Sequence, residues 1–209
     1  MDQKGNNMRL IGLNRSPYTR RVAVTLRLLD IPHTQVPLNA AAELAAASAI
    51  NPLGRIPALV LDDGEVLIES GAILDYVDEL AGPGRALIPP RGPDRRRVLK
   101  LMALATGALD KLVASVYERI LKADGKQDQG WLDRCRTQAT GGLMALEAEA
   151  GEDWLHGGRL TQADITAVCA IDYVRLRAPD LLAKSPLPKL QALSARAALL
   201  PAFADTRPE

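Results

Sequence analysis

The chain of 209 residues is long enough for one large domain or two small ones. Its 26 basic residues nearly balance its 25 acidic residues, and the arginines are scattered apart from one cluster at positions 95–97, which argues against a nucleic-acid-binding protein. The polar segment 1–7 lacks the pattern of a secretory signal, and no apolar run reaches the ~18 residues that a membrane span needs. These features predict a cytoplasmic enzyme or binding protein that acts on neither nucleic acid nor membrane.

The first part of the chain alternates between short apolar runs and helical patterns. Val22, Leu26 and Leu29 recur at i, i+4 and i+7, which indicates an amphipathic helix after the first strand. Asp62-Asp63-Gly64 separates two apolar runs and is a strong hairpin signal. This order of elements predicts a four-stranded mixed sheet with its third strand antiparallel. The predicted elements in chain order are strand Met8–Leu13, helix Pro17–Asp30, strand Thr34–Leu38, helix Ala40–Ala49, strands Ala58–Leu61 and Glu65–Ile68, and helix Ser70–Leu80.

A segment dense in glycine and proline, residues 82–93, is the predicted linker between a first domain, 1–81, and a second domain, 94–209. After this linker every periodic segment is helical, beginning with an apolar stripe that has the helical period. The second domain is therefore predicted to be all-helical. Its predicted helices are Asp94–Ala123, Trp131–Glu149, Gln162–Arg177 and Pro188–Leu200.

Two sets of residues that often carry chemistry have structural explanations here. Thr161 and Asp164 have the spacing of a capping box at a helix start, so Asp164 is left out of the active site. Cys135 and Cys169 lie far apart, without CxxC spacing or clustered histidines, so neither a redox dithiol nor a metal site is indicated.

Residues 51–76 have the chemistry of a binding pocket. Ile56-Pro57 is an X-Pro bond just before a strand, where a cis peptide can occur and turn the backbone of Ile56 toward an extended ligand. Ser70 has the side chain and position of an N-cap, and the amides and positive dipole end of the following helix suit a carboxylate. A small acidic peptide fits both features.

With these residues the chain resembles the glutathione transferase family, whose glutathione site combines a basic-Val/Ile-Pro loop with a Glu/Gln-Ser helix start. Further motifs follow in the family's order and together cover roughly residues 8–205. The resemblance implies an α/β plus all-α protein, with a thioredoxin-like domain that binds glutathione followed by an all-helical domain, and it implies a homodimer. The motifs are Ser16-Pro17-Tyr18-Thr19-Arg20-Arg21-Val22, as at the first helix of serine-type members, Arg55-Ile56-Pro57, Glu69-Ser70, Leu160-Thr161-Gln162-Ala163-Asp164-Ile165 and Leu200-Pro201-Ala202-Phe203.

The resemblance also implies roles near the reacting sulfur. Ser16 would stabilise the thiolate, while also being able to cap the first helix. Tyr18 is the rival hydroxyl but falls inside the helix, so it is assigned to the wall of the electrophile pocket together with Met102 and Thr106 of the second domain. Asn14 is a weaker candidate for the thiolate. Because the strand-to-helix corner carries Ser16 rather than cysteine, the protein is expected to activate a thiol rather than attack with its own.

The remaining site residues would hold the rest of glutathione. Ile56, with Pro57, would pair its backbone with the cysteinyl part, Ser70 would hold the γ-glutamyl carboxylate and Glu69 its ammonium, and Arg55 would face the glycine carboxylate. Plant-type serine members carry a basic residue near the start of the second helix for this glycine end. The segment 39–43 offers none, so weaker binding of glutathione is expected.

The predicted function is a metal-free glutathione transferase that uses glutathione as co-substrate against small hydrophobic electrophiles. Three alternatives stay open: a glutathione-binding or protein-interaction module that lost its activity, a glutathione-dependent peroxidase, and an enzyme of isomerisation or reductive dehalogenation that uses the same thiolate. The sequence does not separate them.

Overall fold

The structure is a computed structural model that describes residues 8–208, so the polar N-terminal segment considered above lies outside the described residues. One compact unit consists of Arg91–Ala198, and the rest of the described chain forms the other. Within the described range no helix combines the length and apolarity that crossing a bilayer requires. The elements are β1 (Arg9–Ile11), α1 (Pro17–Leu28), β2 (Thr34–Val36), α2 (Leu44–Ile50), β3 (Ala58–Val60), β4 (Val66–Ile68), α3 (Ser70–Ala81), α4 (Gly92–Leu121), α5 (Gln129–Glu149), α6 (Gln162–Arg177), α7 (Pro179–Lys184), α8 (Pro188–Ala197) and α9 (Pro201–Ala204).

The first unit is built on the predicted four-stranded mixed sheet. Its strand order is β2-β1-β3-β4, with β1 and β2 parallel and β3 antiparallel to both of its neighbours. Successive residues of β1 face opposite sides, so Leu10 joins the core with α1 and α3, while Ile11 joins a second core with Ala47 of α2. The sheet is therefore covered on both faces by helices.

The hairpin forms where its turn signal predicts it. The amide of Leu61 donates to the carbonyl of Glu65 at 2.8 Å, and Gly64 takes the positive φ of 92° that its lack of Cβ allows. This turn lets β4 pair antiparallel with β3, and α3 begins shortly after β4 ends.

Helix α2 begins later than predicted. Residues 40–42 form turns instead, because the carbonyl of Asn39 accepts from the amides of Ala42 and Glu43, and its side-chain oxygen accepts from the amide of Ala41 at 3.2 Å. An asparagine that takes up local amides in this way competes with helix formation, which the alanine-rich composition alone does not show.

The C-terminal residues 199–208 belong to the first unit, which differs from the predicted second domain of 94–209. Nε of the buried Arg20 in α1 donates to the carbonyl of Thr206 at 2.8 Å, and Arg27 pairs with Asp205 at 3.5 Å. The predicted helices end at Leu200, so α9 lies beyond them, and the local sequence carries no information on which core these residues join.

The second unit is helical throughout its regular elements, as predicted. Its central helix α6 is buried almost completely from Gln162 to Val174 and has the predicted bounds. The capping box is present: Asp164, which is fully buried, accepts from the amide of Leu155 at 2.6 Å and from the amide and hydroxyl of Thr161 at 2.8 Å each. The structural interpretation of Asp164 is confirmed.

Candidate active site at the start of helix α1

Ser16 lies at the corner between β1 and α1 and is the N-cap of α1. Its backbone is extended, Pro17 follows inside the helix, and its Oγ accepts a hydrogen bond from the amide of Thr19 at 3.3 Å. A serine hydroxyl that accepts from an amide still has its own hydrogen to donate. The half-buried Ser16 can therefore cap the helix and donate to a ligand atom at the same time.

Gly12 brings this corner against the Ile56 loop. A Cβ placed on Gly12 would lie 2.5 Å from Oγ1 of Thr19 and 3.1 Å from Cβ of Ile56, and Gly12 has a φ of 135°. Only glycine permits both this approach and this backbone conformation. The end of β1, the first turn of α1 and Ile56 are thus in close contact within the first unit.

The Ile56-Pro57 peptide is cis, as the sequence allowed. Ile56 lies before β3 begins at Ala58, so it is outside the ladder that pairs β3 with β1. The loop is shaped by a residue that the sequence analysis missed: Asn51 is buried, its Nδ2 donates to the carbonyl of Arg55 at 2.8 Å, and its Oδ1 accepts from the amide of Leu53 at 3.0 Å. The Asn-Pro dipeptide at this position is a turn signal that points to such a role.

The predicted N-cap role of Ser70 is wrong. Ser70 is the first residue of α3, and the cap position belongs to Glu69, whose side chain makes no capping bond. Glu69 has a φ of 62° and a ψ of 119°, a conformation that residues with a side chain rarely adopt. Because the cap is not a side-chain acceptor, the first amides of this 12-residue helix are left for another partner, and a helix N-terminus favours an anionic one.

Arg55 and Glu69 form an ion pair, with 3.4 Å between Nη1 and Oε1. Both side chains are more than half exposed, at 62% and 55%, so the pair adds little stability. Its value is positional, because it ties the Ile56 loop to the start of α3. It also places the Arg55 guanidinium beside Glu69, and the predicted contact of Arg55 with the glycine carboxylate of the ligand stays a prediction.

The residues predicted to line the electrophile pocket lie in different units. Tyr18 is half-buried within α1 of the first unit. In α4 of the second unit Met102 is 8% exposed, and the hydroxyl of Thr106 donates to the carbonyl of Met102 at 2.9 Å. The assignment of these residues to one pocket stays a prediction. Among residues 8–208, no group of three or more His, Cys, Asp or Glu has the arrangement of a metal site.

Comparison with known proteins identifies the family. The glutathione S-transferase N-terminal domain model matches residues 10–85, and the glutathione S-transferase C-terminal domain model matches residues 129–196. The chain belongs to the glutathione S-transferase family. The sequence-based prediction of this family, and of a thioredoxin-like domain combined with an all-helical domain, is confirmed.

Individual relatives cover most of the chain. The GST-like protein YibF of Escherichia coli K12 is 31% identical over 81% of this chain and 83% of its own. Maleylacetoacetate isomerase of Pseudomonas aeruginosa is 30% identical over 96% of each chain. The structure of a glutathione S-transferase from Methylobacillus flagellatus KT with glutathione bound superimposes with a TM-score of 0.89, at 31% identity, over 97% of this chain and 100% of that one.

Proposed function

We propose that this protein is a glutathione transferase that activates the thiol of glutathione for attack on small hydrophobic electrophiles. One observation carries the proposal: the three segments predicted to form the glutathione site are in contact within the first unit. Gly12 packs against Ile56, Arg55 pairs with Glu69, and Ser16 caps the helix that begins at the same corner. The similarity to a family member with bound glutathione supports the ligand class.

The ligand follows from the chemistry of these segments. The γ-glutamyl carboxylate of glutathione suits the amides at the start of α3, near Ser70, and its ammonium suits the carboxylate of Glu69. The cysteinyl backbone pairs with Ile56, which directs the sulfur toward Ser16. Arg55, held beside Glu69, balances the charge at this end of the ligand.

The chemistry asked of Ser16 is modest. The glutathione thiol has a pKa near ~8.5, and lowering it by two units takes about 2.7 kcal/mol of preferential thiolate stabilisation. A hydroxyl that donates to a charged group contributes roughly 1.5–3 kcal/mol, and a helix N-terminus adds about 0.3–1 kcal/mol. The thiolate then forms the carbon–sulfur bond, and the leaving group departs with its electron pair.

The test is calorimetric titration with glutathione followed by turnover of an activated aryl chloride by the parent protein and by Ser16→Ala. Turnover should fall about tenfold to a thousandfold, because about 1.5–4 kcal/mol of thiolate and transition-state stabilisation is lost. The affinity for glutathione should change much less. Unchanged turnover in a folded Ser16→Ala variant would refute the assignment and promote Asn14 or Tyr18.

A second candidate is glutathione-dependent isomerisation, favoured by the similarity to the Pseudomonas isomerase over nearly the whole of both chains. The same thiolate would add to an activated double bond and leave after rotation. Transfer consumes glutathione in proportion to product, whereas isomerisation regenerates it. Following free thiol during turnover of a cis-configured unsaturated diketo acid therefore separates the two. The homodimer and the cytoplasmic location stay predictions.

A further inference from the structure

A side chain of the neighbouring strand holds the segment that leads from β1 to Ser16. Gln35, the middle residue of β2, donates from Nε2 to the carbonyl oxygen of Gly12 at 2.9 Å and to Oδ1 of Asn14 at 2.9 Å. Gly12 directly follows β1, and Asn14 lies within the turn of residues 13–16, in which the amide of Ser16 donates to the carbonyl of Leu13 at 3.0 Å. Both acceptors therefore belong to the segment that sets the position of Ser16.

The orientation of the two side-chain amides follows from the chemistry of their partners. A backbone carbonyl oxygen only accepts, so the contact with Gly12 requires the NH₂ end of Gln35 at this position. That NH₂ group has a second hydrogen, and Asn14 must present its oxygen to accept it. Gln35 thus fixes both the backbone at Gly12 and the side chain at Asn14.

Gly12 has contacts on its other sides as well. Its amide donates to the carbonyl of Val36 at 2.9 Å, and Thr19 and Ile56 fill the space where its Cβ would be. Gly12 is therefore in contact with strand β2, helix α1 and the cis-proline loop. The side chain of Gln35 adds a hydrogen bond to the carbonyl of Gly12, so Gln35 contributes to the conformation of the following segment.

We propose that Gln35 is a positioning residue for Ser16, acting through Gly12 and Asn14. The inference rests on the proposed function, in which Ser16 donates to the sulfur of glutathione. A hydrogen bond weakens steeply as its distance and angle depart from the optimum, so a looser segment 12–15 lowers the stabilisation of the thiolate. The groups that bind the γ-glutamyl end lie on α3 and its approach, and they do not depend on Gln35.

The test compares the parent with Gln35→Met, which keeps the length of the side chain and removes its donor. The pH profile of kcat/KM and the ultraviolet absorbance of bound thiolate both report the pKa of the bound thiol. That pKa should rise by about half a unit to one unit in Gln35→Met, which is about three- to tenfold less thiolate at neutral pH. Activity should recover at alkaline pH, and KM for glutathione should stay within about twofold of the parent value.

The matched control is Thr34→Val. Thr34 precedes Gln35 in β2, its side chain is exposed, and alternation along the strand directs it to the opposite face. It should keep the parent's pH profile. In a Ser16→Ala background, Gln35→Met should add no further shift, because its effect passes through Ser16.

Asn14→Ala removes one of the two acceptors and should shift the thiol pKa in the same direction by less. The shift should be absent in a Ser16→Ala background, whereas the effect of a direct contact of Asn14 with the sulfur would persist there. This pair of variants decides the case if Gln35→Met does not fold. An unchanged profile, an equal loss of activity at every pH, or an added loss on top of Ser16→Ala would overturn the role of Gln35. If the parent binds no glutathione, the proposed function fails and this inference fails with it. If the parent binds glutathione but Ser16→Ala keeps the parent's thiol pKa, the assignment of Ser16 fails, and this inference fails while glutathione binding stands.

Discussion

Replacing Asp164 by alanine should destabilise the second unit without touching the chemistry. The Asp164 carboxyl group is fully buried and accepts from the amide of Leu155 at 2.6 Å and from the amide and hydroxyl of Thr161 at 2.8 Å each. Asp164→Ala leaves these three donors without their acceptor at the start of α6. The helix that forms the centre of the unit would then lose its cap.

The magnitude follows from those contacts. Each buried donor left unsatisfied costs about 1–3 kcal/mol, and the three costs are not additive because Thr161 provides two of the donors. We expect a loss of about 3–5 kcal/mol in the free energy of unfolding, in the range known for removing one partner of a buried polar network. For a chain of this size that is a fall in Tm of roughly 10 °C.

Urea unfolding of the parent, Asp164→Ala and Asp133→Ala measures the effect. Asp133 is an exposed residue of α5 that accepts from the side chain of Gln129 at 2.8 Å, so its removal should cost less than about 0.5 kcal/mol. A loss for Asp164→Ala as small as that of Asp133→Ala would refute the capping role. A stable Asp164→Ala variant without turnover would instead place Asp164 in the active site.

The same carboxyl group predicts a pH dependence. Burial raises the pKa of Asp164 above its ordinary value of 3.8, and the hydrogen bonds from Leu155 and Thr161 oppose the rise only in part. The folded protein then holds this proton more tightly than the unfolded chain does. The stability that this proton contributes is fully present below the pKa that Asp164 has in the unfolded chain. It is lost as pH rises through the higher pKa that Asp164 has in the folded protein. Across that window Asp164→Asn, which does not titrate, should lose less stability than the parent, and parallel curves would contradict the raised pKa.

Three further predictions concern the site. Ser16→Asp should fold at least as stably as the parent, because aspartate is a good N-cap, yet turn over more slowly than Ser16→Ala, because its charge opposes the thiolate. Tm and kcat measured together check this, and turnover equal to that of Ser16→Ala would show that the side chain at this position does not face the sulfur. Glu69→Gln and Ser70→Ala should raise KM for glutathione more than they lower kcat, and parent-like binding in both would exclude the γ-glutamyl carboxylate from the start of α3. Cys135→Ser with Cys169→Ala should keep glutathione-dependent activity, since both thiols are buried and burial raises the pKa of Cys135. Ser16→Cys, in contrast, should gain thiol–disulfide exchange activity. If the parent catalyses this exchange and loses it when the two cysteines are replaced, the serine-type interpretation is wrong.

Much of the molecule was predictable because the signals are local. The Asp62-Asp63-Gly64 turn predicts the hairpin, and Thr161 with Asp164 predicts the start of α6, since in each case the partners of the hydrogen bonds lie within four residues. The position of Ser16 before Pro17 predicts the start of α1 for the same reason. Where the local signal was ambiguous, the prediction was wrong by a position or more. Ser70 has a side chain typical of an N-cap, but the cap position of α3 is occupied by the preceding residue, Glu69.

The sequence by itself therefore determined the order of the elements in residues 8–81, the two-part organisation and the segments of the proposed glutathione site, because periodicity, turn residues and caps act over one or two turns of chain. It did not predict the short helices α7 and α9. Only the tertiary structure decided that Arg55 meets Glu69, that Gln35 holds Gly12 and Asn14, and that Thr206 returns to Arg20. Each of these contacts joins residues on different elements. Their pairing is set by how the sheet and helices pack, and a side chain carries no local mark of the distant atom that will satisfy it.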